Sequence, residues 1–132
     1  MKTRFRFLLC LLSFPVLNSY SQESLSAEGF YFKMWEKPAC YVIDVRDSAS
    51  FAGLFFKQSV WLPSKEKLLT FTDSADRDVP VFVYCAEGIR SISAMKILID
   101  KGFKEIYNLK KGINQWPQQW KDSENLMNKI PD

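Results

Sequence analysis

Cys85 and Arg90 stand five positions apart in Cys85-Ala86-Glu87-Gly88-Ile89-Arg90-Ser91, directly after the apolar run Val81-Phe82-Val83-Tyr84. That run has the length and the branched and aromatic content of a buried strand. From Ser91 onward, Ile92, Met95, Leu98 and Ile99 recur at helical spacing, and Gly102 supplies a stop. Cys85 is therefore expected where a strand passes into a helix N-terminus. Unpaired backbone N–H groups and the positive end of the helix dipole favour an anion there. A thiolate is such an anion, and it is the nucleophilic form of cysteine. Gly88 lets loop amides turn inward, where a side chain would crowd them. Arg90 is placed to hold the loop or the anionic end of a substrate. Ser91 serves either as a helix cap or as a contact to the sulfur. The chemistry open to these groups is attack by sulfur and release from a covalent intermediate. In the plainer reading Cys85 is a small buried hydrophobe. Its place at the C-terminal end of a strand, where ligand sites of open α/β sheets lie, favours catalysis.

The elements that must position this loop follow from the rest of the chain. Ser26 caps a helix running to Lys37, with Phe30, Met34 and Trp35 facing inward and Pro38 ending it. A strand is expected over 40–45, a helical turn over 48–53 and a short strand over 59–62. Ser64 caps a helix over 65–72 that carries Leu68, Leu69 and Phe71, and a polar loop covers 73–78. After the helix over 91–101 come a strand over 105–108 and a helical turn over 112–116. Pro117 starts a last helix that runs to about residue 128. Strands alternating with helices imply an α/β sandwich with a mainly parallel central sheet flanked by helices.

The loop resembles the C-x-x-G-x-R active-site loop of rhodanese-like sulfurtransferases. Asp44-Val45-Arg46 after Tyr41-Val42-Ile43 looks like the first signature of that family. Leu62-Pro63 falls at its apolar-proline step, and Lys111-Gly112-Ile113-Asn114-Gln115-Trp116 resembles its G-G-x-x-x-W element, with Lys111 in place of the first glycine. Where the family usually carries G-H-I-P-G-A the chain reads Leu54-Phe55-Phe56-Lys57-Gln58-Ser59, and it contains no histidine. The resemblance implies a three-layer sandwich and a persulfide on Cys85, cradled by the loop from Ala86 to Ser91. A sulfane-sulfur donor loads it, and a thiol or cyanide discharges it; neither metal nor organic cofactor is required. Related phosphatases use the longer C-x5-R loop, so this smaller cradle suits a single sulfur atom. Asp44 and Arg46 are expected to support the site by pairing with each other or with loop groups. Glu87, inside the loop, would repel anionic donors such as thiosulfate. A non-catalytic binding or redox-sensing module on the same fold is the alternative function.

The first residues form a separate unit. Lys2, Arg4 and Arg6 precede the apolar stretch from Phe7 to Leu17, and Ser19 and Ser21 stand at −3 and −1 of a cut before Gln22. This is the pattern of a signal peptide over 1–21, too short for a spanning helix. The expected domain is 22–132, exported to the periplasm or the exterior. Cys10 lacks the small neighbours of a lipidation site. Of the 18 Lys and Arg, three lie in the leader, so the domain carries 15 against 15 Asp and Glu. No basic stripe points to nucleic acid. Cys40 and Cys85 are expected at opposite ends of parallel strands, beyond the reach of a disulfide. Cys40 is then a buried inert thiol, and an oxidising compartment would leave Cys85 in need of a reducing partner, such as a redox protein.

Overall fold

The structure is a computed structural model that describes residues 19–51 and 53–121, with the backbone of 127–129. In chain order the elements are β1 (Ser21–Leu25), α1 (Ala27–Glu36), β2 (Tyr41–Asp44), β3 (Leu54–Phe56), β4 (Ser59–Trp61) and α2 (Lys65–Ser74). They continue with β5 (Val81–Tyr84), α3 (Ile89–Asp100), β6 (Glu105–Leu109), a 3-10 turn (Ile113–Gln115), α4 (Gln118–Lys121) and β7 (Met127–Lys129). Five strands form one sheet in the order β1-β6-β5-β2-β4, every neighbouring pair parallel.

Side chains alternate across a strand, and this chain uses both faces. Val81 and Val83 point with Ile43 and Ile106 into one core, which Leu68 of α2 and Ala94 and Leu98 of α3 complete. Phe82 and Tyr84 point with Val42 and Tyr107 into a second core, closed by Phe30 and Met34 of α1 and by Trp116. The central strand β5 is buried at all four positions, as a strand covered on both faces must be. The result is the expected three-layer α/β sandwich.

Register decides what stands at the sheet's C-terminal edge. Asp44 pairs with Tyr84 and with Trp61, so the chain leaves β2, β4 and β5 side by side. Arg46, Pro63 and Cys85 follow within two residues of those ends. Tyr41 pairs with Val81 at the opposite edge, which keeps Cys40 away from Cys85; both thiols are free.

Several expectations need correction. Trp35 is 75% exposed, because Phe30 and Met34 share one helical face and the next residue lies about 100° round from it. Cys40 is half-buried rather than buried, though burial still pushes its thiol up. The polar lead at Gln22 to Ser24 is the middle of β1, which pairs with β6 from Ser21↔Glu105 to Leu25↔Leu109. Its side chains are mostly exposed, so backbone pairing rather than an apolar pattern makes it a strand. The helix expected to reach residue 128 ends at Lys121, and Met127–Lys129 instead pair antiparallel with Leu54–Phe56. Of the leader expected over 1–21, residues 1–18 lie outside the described residues, and the cut expected before Gln22 falls between the first two residues of β1. Among the described residues no helix is long and apolar enough to cross a membrane.

Lys37 Nζ lies 2.6 Å from Glu105 Oε2, and the Tyr107 hydroxyl donates to the same oxygen at 3.0 Å, tying the end of α1 to β6. The Lys37 hydrogen bond outweighs burial and holds the Glu105 carboxyl below its ordinary range. A depressed carboxyl contributes stability above its unfolded value and loses it as pH falls through the folded one. Glu105→Gln is expected to cost about 0.5 kcal/mol near neutrality, the pair being partly exposed. The difference should shrink in acid, as the pH falls through the depressed folded value. Urea unfolding of both proteins near neutrality and in acid checks this.

Candidate active site

Cys85 follows β5 and is 2% exposed. Its Sγ accepts hydrogen bonds from the backbone N–H of Gly88 at 3.1 Å and of Ser91 at 3.4 Å, and stands 3.3 Å from Ser91 Oγ. Gly88 is the N-cap of α3 and has no side chain with which to cap it. The first N–H groups of a helix need acceptors, normally an N-cap oxygen for the third residue. Here the sulfur of Cys85 takes the N–H of the N-cap residue and of the third helical residue together. Ser91 is therefore a sulfur contact within the helix and not its cap.

The loop keeps this shape because a second backbone segment holds its carbonyls. Ile113 N–H donates to Cys85 O at 2.9 Å, and Asn114 N–H donates to Ala86 O at 3.1 Å. With the carbonyls turned toward 113–114, the loop's amides can face the sulfur. The two segments interlock through glycines. Gly88 has φ +86°, and a Cβ on it would overlap the backbone carbonyl of Lys110. Gly112 has φ +71°, and a Cβ there would overlap the Ala86 carbonyl and the Glu87 nitrogen.

Asp44 and Arg46 pair with each other, as expected, and do so in the interior. Arg46 Nε donates to both Asp44 oxygens at 3.0 Å and Nη2 to Oδ2 at 2.6 Å; the two residues are 0% and 2% exposed. Arg46 also donates to the carbonyls of Leu54 at 3.1 Å and Ser50 at 3.5 Å. Its own carbonyl accepts from Trp61 Nε1 at 2.8 Å. Beneath it lies the Tyr84 ring, whose hydroxyl donates to Ser59 Oγ at 3.2 Å. Burial first, and the Asp44 carboxylate next, push that phenol far up, so it stays protonated. The pair thus shapes the turn after β2, in which Ser50 and Phe51 N–H donate to Asp47 O. Asp47 Oδ1 accepts from Ser50 N–H at 2.7 Å, and Oδ2 accepts from Arg90 Nη1 at 2.6 Å. Hydrogen bonds from Ser50, and then the Arg90 charge, hold the Asp47 carboxyl below its ordinary range.

Arg90 is a strut between loops. Besides Asp47 it donates from Nη2 to Pro63 O at 3.3 Å. Its guanidinium spans three strand ends, while two backbone amides and the Ser91 hydroxyl hold the sulfur. Cys85, Ala86, Glu87, Ile89 and Arg90 share one open cleft of about 460 Å³ with Ser50 and Asn114. Glu87 is exposed at its wall and Ile89, 72% exposed, stands at its mouth. Asp47 and Ser50 carried a legible signal, an Asp with serines about it in a predicted turn. Gly112 was visible as part of a motif, but its role as a loop lock was not. Asn114 had no distinguishing signal.

Fold and loop together define a class: a parallel α/β sandwich that presents a thiol in an amide cradle at the C-terminal edge of its sheet. The family model described as "Rhodanese-like domain" matches residues 27–119. The chain is 36% identical over 89 residues to a protein named thiosulfate sulfurtransferase GlpE from Coxiella burnetii, an alignment covering 65% of this chain and 82% of that one. To the GlpE of Vibrio cholerae it is 32% identical over 83 residues, covering 63% and 77%. Among solved structures, a rhodanese-like domain protein from Staphylococcus aureus superposes with a TM-score of 0.63 at 20% identity, over 83% of this chain and 99% of that one. The chain belongs to the rhodanese-like family.

Gly112→Ala should cost about 3 kcal/mol, since positive φ and a backbone overlap act together. Gly53 has φ +73° but open space around it, so Gly53→Ala should cost only about 1 kcal/mol. Denaturant midpoints of the two variants check the contrast; equal losses would show that the interlock is not tight.

Proposed function

We propose that the protein is an exported sulfurtransferase that moves sulfane sulfur from a donor to a thiol or cyanide through a persulfide on Cys85. The observation that carries this reading is the sulfur of Cys85, held by two backbone amides at a helix N-terminus and opening onto a cleft. The Cys85 thiolate attacks the outer sulfur of the donor. The donor's S–S bond breaks, its electron pair leaves with the remaining half, and a Cys85 persulfide forms. The acceptor nucleophile then attacks the terminal sulfur, and Cys85 leaves as thiolate. On the Cys85 side the charge stays on sulfur, which is what two preorganised N–H dipoles favour. The short C-x4-R loop offers space for one added sulfur rather than a tetrahedral phosphoryl group. The names of the GlpE relatives support the same chemistry with thiosulfate as donor. The basic and apolar leader supports export to the periplasm or the exterior.

The exposed carboxylate of Glu87 at the cleft favours a second reading for thiosulfate specifically: a module that holds a persulfide or docks a partner with little turnover of that anion. The two readings separate in a thiosulfate–cyanide assay that measures thiocyanate. Cys85→Ala should abolish turnover. Glu87→Lys, which exchanges repulsion for attraction at an exposed site, should raise kcat/KM for thiosulfate about fivefold or more. An unchanged value would remove Glu87 from donor selection, and turnover in Cys85→Ala would remove the mechanism.

A further inference from the structure

The charged residues that line the Cys85 cleft are Glu87 and Arg90. Arg90 is the cation an anionic donor would meet there, and the protein itself occupies it. Its Nη1 donates to Asp47 Oδ2 at 2.6 Å and its Nη2 to the Pro63 carbonyl at 3.3 Å. The hydrogen bonds at Cys85 Sγ involve Gly88 and Ser91, not this guanidinium. Asp47 is fixed from its other side. Its Oδ1 accepts from Ser50 N–H at 2.7 Å, and its backbone carbonyl accepts from Ser50 at 3.2 Å and Phe51 at 2.8 Å. Ser50 also lines the cleft. Glu87 enters no ion pair among the described residues. With Arg90 neutralised by Asp47, the cleft is left with the charge of Glu87.

We propose that Asp47 is a positioning residue that sets donor specificity: it keeps the Arg90 guanidinium on the turn after β2 and withholds it from the donor, so that the cleft discriminates against donors by their negative charge. The inference rests on the sulfurtransferase reading and deepens it. A guanidinium that receives an oxoanion offers its N–H groups to the ligand's oxygens. Here both terminal nitrogens hold protein oxygens, and an incoming oxoanion competes with the Asp47 carboxylate for the charge. The transfer itself is the same for every donor. The Cys85 thiolate attacks the outer sulfur, the donor's S–S bond breaks, and the electron pair leaves with the oxygen-bearing half as sulfite or a sulfinate. Cyanide then attacks the terminal sulfur of the persulfide, and that electron pair returns to Sγ. No external oxidant or reductant is consumed. What Asp47 alters is the binding of the oxygen-bearing half, and selection comes from a contact that is denied rather than from one that is made.

The test compares two donors that differ in charge, thiosulfate (a dianion) and methanethiosulfonate (a monoanion), and follows thiocyanate formed with cyanide at steady state. Asp47→Asn keeps a carbonyl oxygen for Ser50 N–H and removes the charge that holds Arg90. It should raise kcat/KM about fivefold for thiosulfate and about twofold for methanethiosulfonate, because the gain scales with donor charge at an exposed site. The gain should lie in KM rather than kcat and shrink in high salt. A merely structural loss would move both donors alike and ignore salt. Asp47→Glu, which keeps the charge, should leave the ratio between the donors as in the wild type. In an Arg90→Gln background Asp47→Asn should bring no gain, there being no cation to release. If the wild type forms thiocyanate but Asp47→Asn moves both donors equally or neither, or if the gain persists without Arg90, the role of Asp47 is overturned alone. If neither the wild type nor Asp47→Asn forms thiocyanate from either donor, the sulfurtransferase reading falls and the role of Asp47 with it.

Discussion

Two stretches of backbone, 86–88 and 110–114, pack so closely that neither Gly88 nor Gly112 has room for a Cβ. Everything at the site depends on this contact. It turns the carbonyls of Cys85 and Ala86 toward the amides of Ile113 and Asn114. A peptide plane with its carbonyl fixed on one side has its N–H fixed on the other. That fixes the amides of Ala86 and Glu87; the amides of Gly88 and Ser91, which follow in the loop and in α3, already point at the sulfur at 3.1 and 3.4 Å and need little reorganisation when charge develops there, which is the condition for electrostatic catalysis. The helix dipole of α3 adds to the same field. A loosened interlock would leave Cys85 in place and cost it its donor-lined surroundings.

A second constraint sits deeper. The Asp44–Arg46 pair is buried, and a buried ion pair holds together only when its remaining donors are used. Here they are used on the carbonyls of Ser50 and Leu54, so the pair fixes the course of the chain after β2. That course delivers Asp47 to Arg90. Arg90 then ties the start of α3 to the turn after β2 and to Pro63 after β4. Three strand ends are joined by one exposed guanidinium and one buried one. The exposed pair is screened by water and contributes little stability. Its use is geometric, since Arg90 lines the Cys85 cleft.

What the sequence made legible follows the strength of the physical signals. β5, α3 and the position of Cys85 between them were plain, because an all-apolar run buried on both faces and a 3.6-residue period are strong patterns. The Ser26 and Ser64 caps were equally plain, and each hydroxyl accepts from the third helical N–H as expected. β1 was missed because its partner supplies backbone pairing to a polar, exposed segment. β7 was missed because three residues pairing with the distant β3 leave no local period. Trp35 misled because size and hydrophobicity suggest burial, while the helix face decides it. The mutual positions of Arg90, Asp47 and Pro63 depend on strand order, and no local pattern could have shown that one guanidinium joins them.

The central claim is that Cys85 carries sulfur as a persulfide, and intact mass tests it most directly. Purified protein would be weighed before and after exposure to thiosulfate, mercaptopyruvate and polysulfide, and again after cyanide. The account predicts a gain of one sulfur atom that cyanide removes and that Cys85→Ala abolishes. With Cys85 shown to be reduced and open to alkylation, an unchanged mass across all three donors would contradict it and leave a binding module on the same fold.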